Sequence, residues 1–459
     1  MMSEIESLPK SWTASKIDDL CIIVRGITFP ASAKENRQTE SNICCLRTSN
    51  VQNKLEWKDI YYIDKKYVKR EEQELKKGDI LMSMANSYEL VGKVCTANEI
   101  PQPATFGAFL TALRPAGSID PRYFYYFLNS SAVQKKLRGN SSQTTNIANI
   151  SVKSLKTIEI VVAPFNEQRR IADKLDTTLA AIESCKQKLN STAETIQRFR
   201  QSVLAAAVSG ELTREWREER GIEGEWQLQP LSALGEVTGG LTKNSKRREL
   251  PLQKKYLRVA NVYFDELRLE DIATIGLTQA EFEKTVLRKG DLLIVEGNGS
   301  LSQVGRVAVW DGSEKDCVHQ NHLIRWRPQE TESKWALYAL ISPQGRKQLE
   351  QKAHSTSGLH TLSIRKVSEL TIPTPLMEEQ KELIRVVDLL LDNASEQEKI
   401  IQDVIAKCEK LQQSLLAKAF RGELVAQDPN DEPASVLLER IKAQREAEAA
   451  AKKPAKRGG

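Results

Sequence analysis

Hydrophobic positions between 383 and 415 fall in a 4-3 alternation: Leu383, Val387, Leu390, Ala394, Ile401, Val404, Cys408, Leu411 and Leu415, interrupted by Gln397. Moving every position back by 212 gives Ile171, Leu175, Thr178, Ile182, Cys185, Leu189, Thr192, Ile196, Phe199 and Val203, a second seam in the same register. A narrow stripe sustained over about four to five heptads predicts coiled-coil helices; a long amphipathic helix lying on a globular core is the plainer alternative. Each helix follows a proline ("PFNEQ", "PLMEEQ"), carries Glu and Gln in its first turn and meets a glycine stop at Gly210 or Gly422.

The segments outside the helices are shorter-patterned. Runs such as "IIVRGITF" and "LTIPTP" read as strands, while "PRYFYYFLNSSAVQKKLR" and "ESKWALYALISPQGRKQL" read as helices, an α+β pattern without βαβ rhythm. The aromatic run at 123–128 reads as the core face of its helix rather than a base-stacking platform.

The 212-residue offset continues through these segments with slips of about a residue. Trp12, Ile17, Leu20 and Gly26 match Trp226, Leu231, Leu234 and Gly240; "LRTSNV" matches "LRVANV", "LKKGDIL" matches "LRKGDLL", and "LRP" matches "WRP". Between these anchors the halves differ strongly. Because the first helix ends where the second globular segment begins, and the second helix begins where that segment ends, antiparallel helices would bring these ends together. The expected architecture has approximate two-fold symmetry, with a rod of about 36 residues, roughly 54 Å long, between two similar domains.

Composition changes this picture little. The 459 residues carry a net charge of +6, and residues 1–165 hold 22 Lys and Arg against 17 Asp and Glu, which permits a phosphate-facing surface without requiring one. No run approaches a membrane span, and the start lacks an apolar leader core, so a cytoplasmic chain is expected. Seven cysteines without a CxxC pair argue against a disulfide framework and read mostly as buried small apolar residues.

Candidate chemistry lies in polar stretches at matched places. Asn, Gln, Ser, Thr and Arg read base edges and phosphates, and glycine lets backbone N–H groups approach phosphate; solvated turns are the bland alternative. The DNA-binding candidates in the first half are Arg25, Lys34, Arg37, Arg47, Asn50, Asn86, Ser87, Asn140, Ser141, Ser142, Gln143, Thr144, Thr145 and Asn146. In the second they are Lys243, Lys246, Arg247, Arg248, Arg258, Asn261, Asn298, Gly299, Gln320, Asn321, His322, Ser355, Thr356 and Ser357. Catalytic signatures are lacking: there is no GxxxxGK[ST] loop and no [DN]PP[YF] tetrad. Asp291 and Glu296 faintly resemble a nuclease pair, but Asn298 stands where a Lys would be wanted. His319, His322, His354 and His360 lack the cysteines that would complete a zinc site, and Phe106, Phe109 and Ser142 match three of them, so no metal is expected.

Taken in order and twice, the "LPKSW" and "EGEW" boxes, the two "KGD" boxes, the "NEQRRI" and "EEQKEL" helix starts and the "QSVLAAAVSGEL" and "QSLLAKAFRGEL" helix ends resemble the specificity subunit of Type I restriction-modification systems. The resemblance implies two target recognition domains (1–165 and 225–375), two spacer helices (166–210 and 376–422), a linker (211–224) and a tail (423–459). It implies a non-catalytic reader of a bipartite, asymmetric double-stranded DNA target. It also implies docking of two methyltransferase subunits and of motor and nuclease subunits. S-adenosylmethionine, ATP and Mg would then belong to those partners, with no cofactor in this chain. In the tail, "PASVLLERIKAQ" should form a short partner-facing helix and "KKPAKRGG" should be disordered. A coiled-coil scaffold with protein- or glycan-binding domains is the competing class, separable by the salt dependence of binding.

Overall fold

The computed structural model describes residues 8–143, 147–356 and 358–451. They form two compact units, one within Met1–Lys188 and Val404–Gly459, the other within Leu189–Asp403.

In the first unit an antiparallel four-stranded sheet runs in the order Cys21–Arg25, Leu110–Pro115, Ile80–Ser83, Val94–Thr96. The alternation of its strands sends Ile80 and Leu113 into one core and Leu81 and Ala112 into another, so both faces are covered. A three-stranded sheet, Tyr61–Asp64, Asn42–Leu46, Ala104–Phe106, closes the second core, its last pair parallel. The helices Pro121–Asn129 and Ser131–Gly139 cover the first core, burying Tyr123, Phe124, Phe127 and Leu128, so the aromatic run is core as read. Asp120 caps the first of them by accepting from the N–H groups of Arg122 and Tyr123.

The second unit repeats this order. Its four-stranded sheet is Gly235–Gly239, Leu323–Pro328, Leu292–Val295, Val307–Val309, and its three-stranded sheet is Ala273–Leu277, Leu252–Leu257, Val318–His319, again with a parallel last pair. A strand ahead of each domain core pairs with one just before a long helix: Thr13–Lys16 with Glu159–Val162, and Gln227–Pro230 with Thr371–Thr374.

The two long helices span Phe165–Val208 and Met377–Ala419. Inside each unit they run antiparallel. Lys186 meets Glu409 at 3.6 Å in the first, and in the second Gln197 donates to Glu398 and Arg200 to Ser395. The seam is therefore real, and its ends are also core: Ile171, Leu175, Leu416 and Ala419 join the first domain's core, while Val203, Ala207, Leu383 and Val387 pack on Trp335 and Tyr338 in the second. Gly210 (φ 78°) and Gly422 (φ 76°) take the left-handed conformation that lets the chain leave each helix end.

The sequence boxes meet in space. The indole N–H of Trp12 donates to the buried Glu167 carboxylate at 2.9 Å, and that of Trp226 donates to the buried Glu379 at 3.0 Å. Burial raises the Glu167 pKa against the lowering effect of its bonds from Trp12 and Gln427. The neighbouring Gln168 and Gln380 accept from the Asp120 and Glu332 N–H groups that open the domain helices. A helix start thus holds both the first residues of its domain and the helix that covers the domain core.

The tail departs from expectation. Its helix is longer, Ala434–Ala451, and buries Ala434, Leu437 and Ile441 in the first unit's core instead of presenting that face to a partner. The N–H of Ala434 donates to the Ser11 carbonyl, and Arg170 pairs with Asp431 at 2.7 Å. An i, i+3, i+7 apolar stripe facing an open groove beside Ile17 and Leu20 is enough to hold it there. The "KKPAKRGG" segment lies outside the described residues.

Candidate nucleic-acid interface

Both domains are built around a turn that must pass another backbone closely. A Cβ on Gly26 would lie 2.1 Å from the Gly107 carbonyl oxygen, and one on Gly240 2.2 Å from that of His319, so glycine is required at both. Beyond these turns come the segments 27–37 and 241–250. They are tied to the turn that opens the central strand by the bridges Ile27–Gly107 and Leu241–Gln320. That turn carries Phe109 in one domain and His322 in the other.

The same turn holds a second group of candidates. Met84 N–H donates to the Phe109 carbonyl and Glu296 N–H to that of His322. Asn86 and Asn298 follow directly, each in a two-residue strand of a small sheet. The first sheet is Ser142–Gln143, Ala148–Asn149, Ala85–Asn86; the second is His354–Thr356, Leu359–Thr361, Gly297–Asn298. The fold thus gathers three separate polar stretches at one corner of each domain.

The corners differ in chemistry. In the first domain Phe109 is 66% exposed and borders a cleft of about 420 Å³ also lined by Phe29, Lys34, Arg47 and Tyr61. Arg47 donates to the Tyr61 hydroxyl at 2.7 Å, and its guanidinium and the Lys34 ammonium lie 4.6 and 4.8 Å from the Tyr61 ring centre. In the second domain the exposed His322 Nδ1 lies 2.7 Å from Glu296. Phe109 and Tyr61 are not among the sequence candidates, although Phe109 is visible as the counterpart of His322; Glu296 figures there only as half of a nuclease pair, not as a DNA contact.

The other candidates divide by what their side chains touch. Arg25, Lys34, Arg37, Asn140, Ser142, Gln143, Lys243, Lys246, Arg248 and Gly299 are exposed. Asn86, Ser87, Ser141, Asn298, Gln320 and Asn321 are half-buried. Ser141 donates to the Arg138 carbonyl, and Asn86 and Asn298 accept from the N–H groups of Ser87 and Ser300. Ser355 and Thr356 lie in a strand of the small sheet. Thr144, Thr145, Asn146 and Ser357 fall outside the described residues.

Asn50 and Asn261 need correction as base readers. They are 1% and 3% exposed; each accepts from the backbone N–H of Arg47 or Arg258 and donates to carbonyls, so the fold uses these amides. Arg247 is likewise a brace. It donates to the Thr242 and Gly276 carbonyls and pairs with Glu281 at 2.8 Å, an interaction that draws the Glu281 pKa down to about 2. Arg258 keeps partial exposure but pairs with Asp271.

The "KGD" boxes serve the fold too. Asp79 is buried and takes a forked pair of bonds from Arg114 at 2.7 and 2.9 Å; Asp291 takes the same from Arg327, both at 2.7 Å. Gly78 and Gly290 turn the chain at φ 89° and 95° to place those carboxylates. Asp291 is thus spent on Arg327 while Glu296 faces His322. His319 is buried against the Thr285 carbonyl, unlike the exposed His322. Among the described residues no group of three or more His, Cys, Asp or Glu is arranged to hold a metal ion.

Residues 9–194 and 223–406 each match the family described as the Type I restriction modification DNA specificity domain. The chain belongs to that family. It is 33% identical over 457 residues to the Type I restriction enzyme EcoKI specificity subunit of Escherichia coli K12, covering 96% of this chain and 97% of that protein. It is 32% identical over 451 residues to the StySPI specificity subunit of Salmonella potsdam, covering 95% and 96%. The fold is similar to the HsdS subunit from Thermoanaerobacter tengcongensis, with TM-score 0.52 and 17% identity over 91% of this chain and 98% of that one. It is also similar to a chain from "Structural basis underlying complex assembly and conformational transition of the type I R-M system", with TM-score 0.67 and 18% identity over 91% and 99%. In this chain, the repeated boxes are the frame that presents two differing corners.

Proposed function

We propose that this chain is the DNA sequence-recognition subunit of a Type I restriction-modification complex, each domain reading one half of a bipartite, asymmetric target. The observation that carries the reading is the contrast between corners: the Trp–Glu, Arg–Asp and close-glycine contacts of the framework repeat, while Phe109 beside a cation-flanked aromatic cleft in one domain stands where the His322–Glu296 pair stands in the other. Different chemistry at one geometric position is what two unlike half-sites require. The exposed cations Arg25, Lys34 and Arg37, and Lys243, Lys246 and Arg248, would meet phosphates and set register.

The chain in this reading is non-catalytic and acts in the cytoplasm. Two methyltransferase subunits dock on the repeated helix ends, motor and nuclease subunits complete the complex, and S-adenosylmethionine, ATP and Mg serve those partners. Among the described residues no helix is long and apolar enough to cross a membrane. The test is exchange of residues 225–375 for the matching segment of a relative, followed by modified-base mapping of host DNA. One half-site should change and the other persist. Loss of both, or binding insensitive to salt, would favour a scaffold that contacts protein or glycan instead.

A further inference from the structure

We propose that Cys185 and Cys408 are a redox-active pair that closes to a disulfide between the two long helices of the first unit when the protein meets a hydroperoxide. Five cysteines, Cys21, Cys44, Cys45, Cys95 and Cys317, are buried, whereas Cys185 is exposed and Cys408 half-buried. Both lie on the helical seam. The ion pair between Lys186 and Glu409, one residue beyond each, fixes the register that sets the two thiols across from one another. Burial and the neighbouring Cys185 thiol both raise the Cys408 pKa, in keeping with that placement. A disulfide holds its two sulfurs about 2 Å apart, within reach of side chains that face one another across a helical seam.

The pair is not part of the repeated framework, since the matched seam positions are Ile196 and Gln397. Apart from Gln397 the seam keeps apolar or small side chains, and two facing thiols at a solvated stretch call for a separate account. The exposed Cys185 is the site of attack. Its sulfur takes the terminal oxygen of the hydroperoxide, breaking the O–O bond and leaving a sulfenic acid and an alcohol, or water when the oxidant is hydrogen peroxide. The Cys408 sulfur then attacks the Cys185 sulfur; the S–O bond breaks, and the hydroxyl leaves as water with the Cys408 proton. Two thiols are oxidised, one hydroperoxide is reduced, and a dithiol restores the reduced pair by exchange. The closed form would pin the helices against sliding or turning over each other, while the reduced form leaves that freedom.

The test uses the reduced full chain, exposed to hydrogen peroxide, then denatured, alkylated and digested. The expected result is a fall from seven alkylatable thiols to five. A peptide carrying Cys185 should be joined to one carrying Cys408 within a single chain, at a mass lower by two hydrogens, and dithiothreitol should reverse the link. Cys408→Ser should stop at a Cys185 sulfenic acid that dimedone traps, and Cys185→Ser should leave Cys408 reduced. Seven thiols still alkylatable in the wild-type chain after treatment would overturn the proposal. So would a link formed between chains, or one that joins Cys185 to a buried cysteine.

Discussion

His319 gives the second domain an acid weakness that the first lacks. Its side chain is fully buried; Nδ1 lies 3.1 Å from the Thr285 carbonyl, to which it donates as a neutral ring, and Nε2 has no partner. Burial, with the positive charge of Arg325 beside it, lowers its pKa from 6.5 to about 4. Because the folded value is depressed, the unfolded chain binds the proton first as pH falls. Stability is unaffected above about pH 6.5, declines through the window between 6.5 and 4, and loses nothing further from this group below it. At about 1.4 kcal/mol per pH unit the loss is about 3 kcal/mol. The matched residue in the first domain is Phe106, equally buried, so His319→Phe installs the other domain's solution. The variant forfeits the bond to Thr285, about 1 kcal/mol at neutral pH, but its urea midpoint should fall less than wild type's between pH 6.5 and 4. Trp310, Trp326 and Trp335 are fully buried in this domain and supply the fluorescence signal. Carboxylate titrations are common to both proteins and cancel in the difference. Parallel midpoint-against-pH curves for the two proteins would refute the argument.

Three other outcomes follow from the same contacts. Lys246→Ala and Arg248→Ala should each flatten the salt dependence of DNA binding by about one counterion, whereas Arg247→Ala should lower stability and leave that slope alone, as salt titrations and urea unfolding would show. Asp79→Asn, which leaves Arg114 half-paired in a buried site, should cost about 3 to 5 kcal/mol in urea unfolding, and Asp291→Asn should do the same through Arg327. A circular permutant opened in the exposed 221–224 turn, with the old ends joined by a flexible linker, should keep both half-sites in DNA-binding assays, because Ser11 already bonds Ala434 and Pro9 lies against Gly422.

The repeated boxes were legible because each encodes a bond the fold cannot do without. A glycine before Asp79, an Arg before Pro115 and a Trp at the start of each half recur since a turn, a buried fork and a carboxylate partner all demand particular residues. The polar candidates were less legible for the opposite reason. Asn50 and Asn86 offer the same amide, and what separates them is whether nearby carbonyls consume it, which depends on chain segments far away in sequence. Arg247 and Lys246 are neighbours in one basic run, yet one finds Glu281 and the other stays in solvent. The tail helix declared an apolar face without declaring where it would go.

The same contrast separates the frame of each domain from the side chains at its corner. Trp12 on Glu167, Arg114 on Asp79 and Gly26 under Gly107 hold the first domain's backbone through contacts that do not use the Lys34 or Phe109 side chains. Side-chain substitutions at those two exposed positions therefore leave the buried forks untouched. The second domain shows the limit of that separation. Its Glu296 reaches His322 through a side chain, but the Glu296 backbone also bonds the His322 and Leu362 backbones. The exposed side chains of the corner, Phe109 and His322 among them, stand on a hydrogen-bonded path, strand to turn to small sheet, that both domains keep.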